Sequence, residues 1–214
     1  MILPIFAYGE PVLRKKSIDI EQDYVGLDAL IQNMFETMDH AEGVGLAAPQ
    51  VGRAIRLFVI DTSPFKVPEE KVELYGSEAD LKGFRKVFIN PKMVEETGAE
   101  WCFEEGCLSI PNVREEVLRK NTITIEYFDE KFTKHRDTYT GLRARVIQHE
   151  YDHIEGVLFT DKLSSLKKQV LRGKLTRISK GFADVDYPMH FLGTLGVHFY
   201  VHIMCTIGLQ MSEI

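Results

Sequence analysis

The chain has 214 residues, 44% of them hydrophobic and 27% charged, a mixture suited to one soluble globular domain with a buried core. Its formal net charge of −6 argues against broad binding to nucleic-acid backbones, which needs a basic surface, and no specific DNA binding is expected. Cys102, Cys107 and Cys205 are too few and odd in number for a disulfide framework. The opening "MILPIFAYGEPVLRKK" puts its basic residues after the apolar stretch, unlike a signal peptide, so a reducing, cytoplasmic setting is expected.

The first predicted element is an amphipathic helix in "GLDALIQNMFETMDHAEG", where Leu27, Leu30, Ile31, Met34, Phe35 and Met38 recur at helical spacing and Gly43 lies past the end. "VGLAAPQVG" reads as a small-residue loop or extended segment, and Ile55 to Asp61 ("IRLFVID") as a buried strand. Residues 62–86 carry Pro64, Pro68, Gly76 and Gly83 around a charge-rich middle and read as a surface excursion. Strands return in "VFINP" and "AEWCFEEG". "NTITIEYFDEKFTKHRDTYTG" resembles a hairpin turning near Asp129 to Lys131.

A second helix is predicted from about Gly141, with Leu142, Val146, His149 and His153 on one face and Gly156 as its stop. A basic helix follows from Lys162 to about Lys180. Strands and helices mix without steady βαβ alternation, so the predicted class is α+β: mixed strands around a central helix, with a further C-terminal helix. Residues 1–190 form one expected domain and residues 191–214 a separate tail.

That tail holds twenty residues, Leu192 to Met211, without Asp, Glu, Lys or Arg, long enough to raise the alternative of a membrane contact. Val197, Phe199, Val201, Ile203 and Cys205 alternate with His198, Tyr200, His202 and Met204, which favours a packed strand. In a strand His198 and His202 stand roughly 13 Å apart and cannot share an ion.

The chemistry concentrates in "QHEYDHIEG", Gln148 to Gly156. Histidines four apart on a helix stand about 5–6 Å apart at Cβ, close enough for His149 and His153 to bind one metal. Glu150 lies beside them, where it can take a proton from water and return it to a leaving group. The competing reading is a surface helix with incidental histidines. A hydrolytic metal usually needs a third protein ligand. Downstream, Phe159 occupies the third-histidine position of one extended pattern, and only Glu213, Asp161, Asp184 and Asp186 remain, so the third ligand is expected upstream. Cys107 in "EEGCLSIP" follows a glycine and offers a thiolate. Cys102, between Trp101 and Phe103, is expected in the core.

"GVGLAAPQ" (Gly43 to Gln50), "EGCLS" (Glu105 to Ser109) and "QHEYDH" (Gln148 to His153), in this order, resemble the peptide deformylase family over about residues 1–190. The resemblance implies Cys107, His149 and His153 as metal ligands and Glu150 as general base and then acid. It implies the Gln50 amide and the Leu108 backbone N–H as oxyanion donors; for Gln50 a loop-capping amide is the alternative. Val44, Gly45 and Gly106 would offer backbone edges to an extended peptide, Leu142 and Val146 would line the methionine pocket unless they serve the core, and Arg114 would meet the peptide further along.

The implied substrate is the N-formyl group of methionine on newly made polypeptides, released as formate, with ribosome contact near the exit tunnel as an accompanying expectation. The implied metal is one iron(II) per chain, with zinc, nickel or cobalt as substitutes. The rival readings are a general metallopeptidase, a cysteine hydrolase pairing Cys107 with His149, and a non-catalytic metal module closed by a fourth donor, for which His135 is the nearest candidate.

Overall fold

The computed structural model describes residues 1–193, so the predicted strand with His198 and His202 lies outside the described residues. A five-stranded antiparallel sheet runs in the order β2 (Gly45–Ala47), β3 (Leu57–Asp61), β4 (Arg85–Cys107), β5 (Ile110–Phe128) and β6 (Lys134–Thr140). Helices α1 (Leu27–His40) and α4 (Gly141–Ile154) pack on its opposite faces, and α5 (Ser165–Ser179) follows. Two short helices, α2 (Val72–Tyr75) and α3 (Glu78–Leu81), lie in the 62–86 segment. Strand β1 (Ile5–Phe6) pairs in parallel with β7 (Met189–His190). No helix among the described residues is long and apolar enough to cross a membrane.

Strand β3 explains why the two helices take opposite faces. Side chains alternate along a strand. Leu57 and Val59 join Met34, Met38 and Ile31 of α1, whereas Phe58 and Ile60 join Ala144, Val146 and Ile147 of α4. Both faces are covered, so the strand reads as an unbroken apolar run. Helix α4, fixed against the sheet centre, ends at Gly156 with φ +76°, where a Cβ would stand 2.7 Å from the Arg14 carbonyl.

Four sequence expectations change. "VFINP" and "AEWCFEEG" belong to one strand of 23 residues, bent by register shifts and paired along β5. The first half of β5, Ile110 to Lys120, was not among the predicted strands because its exposed face is so charged; Val113 and Val117 on the other face are buried. The 62–86 segment is only partly a surface excursion: Leu81 and Phe84 are buried, and Leu81 packs with Trp101 and Leu142. Cys102 is exposed, not core, because Trp101 takes the inward position and the next side chain points out.

Candidate metal centre

The turn Leu108–Ser109 joins β4 to β5 and brings Cys107, the last residue of β4, against α4. Its Sγ lies 3.3 Å from His153 Nε2. Cys107 Sγ and one ring nitrogen from each of His149 and His153 all fall within 4.8 Å of one another, the one such group among the described residues. His135 is not part of it; on β6 it bonds to Asp129 Oδ2 at 2.8 Å.

Glu105, two residues before Cys107, orients one ring. Its Oε2 is 2.9 Å from His149 Nδ1, a contact that assigns the ring proton to Nδ1 and leaves the Nε2 lone pair free. Arg119 grips both Glu105 oxygens at 2.7 and 2.9 Å and also reaches Asp152 at 2.7 Å. Arg145 adds a bond to Glu105 Oε1 at 2.9 Å. Burial alone would raise the Glu105 carboxyl, but Arg119 and His149 overcome it and hold the group well below the usual carboxylate range. Burial likewise opposes charge on His149, yet its bonds to Cys107 and Glu105 raise its pKa well above 6.5. The anionic surroundings therefore favour a cation against this ring, a place that a metal ion on Nε2 can take instead of a proton. Burial, followed by the nearby His149, keeps His153 well below 6.5 and so neutral.

Glu150 stands beside these donors. Burial pushes its carboxyl up to about 7, and its Oε2 has no partner among the described residues. Gly45 packs so closely that a Cβ there would lie 2.4 Å from Glu150 Oε1. Gln50 caps its loop, its Oε1 accepting from Ala47 N at 2.8 Å, while its Nε2 donates toward Cys107 Sγ at 3.5 Å and Ser109 Oγ at 3.3 Å. The backbone of Leu108 is tied down by Tyr187, whose hydroxyl donates to its carbonyl at 2.9 Å.

A groove of about 610 Å³ opens onto the centre. Val44, Gly45, Gly106, Arg114 and Val146 all line it, together with His149. Leu142 does not; it is buried against Leu81 and Trp101, which corrects the pocket expectation in favour of the core alternative. The donor chemistry fits a transition metal: one thiolate and two imidazoles, one of them held by an anionic carboxylate and the other neutral.

The polypeptide deformylase family model matches residues 2–169. The chain belongs to the polypeptide deformylase family. It is 62% identical over 191 residues to a peptide deformylase of Christiangramia forsetii, covering 89% of this chain and 96% of that protein. A peptide deformylase of Flavobacterium psychrophilum is 58% identical over 189 residues, 88% of this chain and 96% of that one. The crystal structure of a Legionella pneumophila peptide deformylase is similar at 37% identity and a TM-score of 0.70, covering 84% of this chain and 96% of that one. The family is metal-dependent and removes the N-formyl group from newly made polypeptides, and the chain is a hydrolase of that kind.

Sequence reasoning did not single out Glu105, Arg119 and Arg145. Glu105 carried a readable signal, since it sits inside the "EGC" motif and a metal-binding histidine commonly donates its second ring N–H to a carboxylate. The arginines carried none, because their partners are 14 and 40 residues away along the chain.

Proposed function

We propose that Cys107, His149 and His153 hold one iron(II) ion, with zinc, nickel or cobalt as substitute occupants, and that residues 1–190 form the catalytic domain. The metal, when bound, supplies Lewis acidity to the formyl carbonyl and to the attacking water. The observation that carries this reading is the convergence of the three donors within 4.8 Å beside the unpartnered oxygen of Glu150.

Glu150 takes a proton from water as its oxygen adds to the formyl carbon, and it returns that proton to the amine nitrogen as the C–N bond breaks. Formate and a free α-amine leave. Gln50 Nε2 and the Leu108 backbone N–H donate to the oxyanion that develops on the carbonyl; Gln50 is already fixed by its bond to Ala47 N. The backbones of Val44, Gly45 and Gly106 flank an extended peptide, Val146 with Phe65 and Phe103 receives the methionine side chain, and Arg114 meets the peptide beyond it. The partners are N-formylmethionyl nascent chains, in the cytoplasm and near the ribosomal exit tunnel. The tail, residues 191–214, is kept apart from this assignment.

The test combines metal analysis of anaerobically purified protein with formate release from formyl-Met-Ala-Ser. About one metal per chain is expected, most of it lost in Cys107→Ala or His153→Ala. Turnover that survives complete metal removal would return the cysteine-hydrolase reading. Equal rates on the acetylated peptide would remove the formyl specificity.

A further inference from the structure

The Leu108–Ser109 turn carries the backbone N–H proposed above as an oxyanion donor, and segments from near both ends of the described chain hold it. Ile5 N donates to the Pro188 carbonyl at 2.9 Å and Ala7 N to the His190 carbonyl at 2.8 Å, which joins β1 to β7. Each of these segments then reaches the turn. Tyr8 N donates to the Ser109 carbonyl at 2.8 Å, and the Tyr187 hydroxyl donates to the Leu108 carbonyl at 2.9 Å. The Tyr187 ring packs between two parts of the core, one containing Met34 and Met38 of α1 and the other Ile178 of α5, and it lines the groove as well.

The Leu108 N–H finds no acceptor among the described residues, so no bond of its own fixes its direction. That direction depends on the two peptide planes that meet at the Leu108 Cα. The first begins at Cys107, which closes β4 opposite Ile110. The second ends in the carbonyl that Tyr187 holds. The Leu108 side chain has little freedom either, since a Cβ on Gly43 would stand 2.8 Å from its Cδ1. With the carbonyl released, rotation about the Leu108 backbone would swing the N–H away from the oxygen it must meet. A donor stabilises a developing oxyanion most when it is already aimed.

We infer that Tyr187 is a positioning residue for the reaction: its hydroxyl sets the orientation of the Leu108 N–H and ties that donor to the β1–β7 pair. The inference rests on the oxyanion role proposed for Leu108. A hydroxyl acting in this way supports the transition state and not substrate binding, so its loss falls on kcat and leaves KM nearly unchanged. A hydroxyl that only helps the chain fold would instead lower the share of chains that hold metal, with normal kcat in those that do.

The experiment measures kcat and KM by formate release from formyl-Met-Ala-Ser, per metal-loaded chain, for full-length wild type, Tyr187→Phe and Gln50→Ala. Tyr187→Phe keeps the ring and removes only the hydroxyl. Its kcat is expected to fall about five- to ten-fold, the scale of one hydrogen bond, with KM within about two-fold of wild type and metal near one per chain. An unchanged kcat, or a loss confined to KM or to metal content, overturns the inference. If Tyr187→Phe does not fold, Tyr187→Met, which fills the space flexibly without a donor, is judged by the same criterion. Failure of both to fold would assign the residue to folding alone and overturn the inference too. Gln50→Ala removes the other oxyanion donor directly and should cost about 10²-fold in kcat or more. If it costs nothing, the oxyanion reading itself fails, whereas a loss in Gln50→Ala without one in Tyr187→Phe overturns only the role of Tyr187.

Discussion

Among single residues, Glu150 and Gly45 are closely packed, with no room for a side chain at Gly45. Glu150→Gln keeps the shape of the carboxylate and removes the base, so turnover should fall at least about 10²-fold while metal content, measured in the same samples, stays near one per chain. Gly45→Ala should reproduce much of that loss without touching a charge, because the new methyl would occupy the place of Glu150 Oε1. Retained activity in Gly45→Ala would mean that the carboxylate has freedom the packing denies it. Glu105→Gln tests the support beneath His149. It removes the carboxylate charge that Arg119 and Arg145 share, leaving Arg119 with Asp152 and Arg145 with the Val117 and Trp101 carbonyls, and removing one partner of a buried ion pair costs about 3–5 kcal/mol. Metal affinity should drop about 10- to 100-fold, readable by chelator competition. The donors and Glu150 were legible from sequence because helical spacing or a glycine neighbour marks them. Glu105's arginines were not, since no local period announces a partner on another strand.

Among elements, the contrast lies between α4 and the 62–86 segment. Helix α4 was readable because one face is apolar at regular intervals and a glycine stops it. The 62–86 segment reads as polar because most of it is, yet it anchors through Leu81, which is 1% exposed. Leu81→Ala should therefore cost about 2–5 kcal/mol in a denaturant titration, as a core leucine does, whereas a loop residue would cost almost nothing. The same segment delivers Phe65 to the groove, so its loosening should raise KM for formyl-Met peptides more than it lowers kcat. The long β4–β5 hairpin was half legible. Its apolar ends follow a strand pattern, but the charged middle hides the alternation that pairing imposes.

For the molecule as a whole, acid stability depends on carboxylates held below their free values. Burial alone would raise the Asp61 carboxyl, but Ser63 and Arg85 overcome it and hold it below 3.8; Arg85 also binds Asp39 of α1 and so ties that helix to β3. Unfolded, Asp61 titrates near 3.8, and folded, lower. Between those values the unfolded chain binds more protons, so stability present above pH 3.8 is lost as pH falls through the folded value. Asp61→Asn should lower stability at pH 7 and flatten the decline below pH 3.8, followed by urea unfolding at a series of pH values. An unchanged slope would place the acid sensitivity elsewhere. The class, α+β, was legible because no regular alternation of strand and helix runs along the chain. The sandwiching of β3 between α1 and α4 was not, because an apolar run does not say what covers it.

The hairpin that ends at Cys107 also behaves as a ruler. From Ile89 opposite Phe128 to Cys107 opposite Ile110, pairing continues through several register shifts, and every residue's facing depends on the count of those before it. One added residue on β4 would turn the Cys107 thiol to the opposite face, unless another bulge absorbed it. Two residues added to each arm, opposite one another, would only lengthen the hairpin, because side chains alternate with a period of two. Length in this protein is therefore exchangeable in pairs along β4 and β5, and an odd change in β4 acts on the thiol as surely as replacing it.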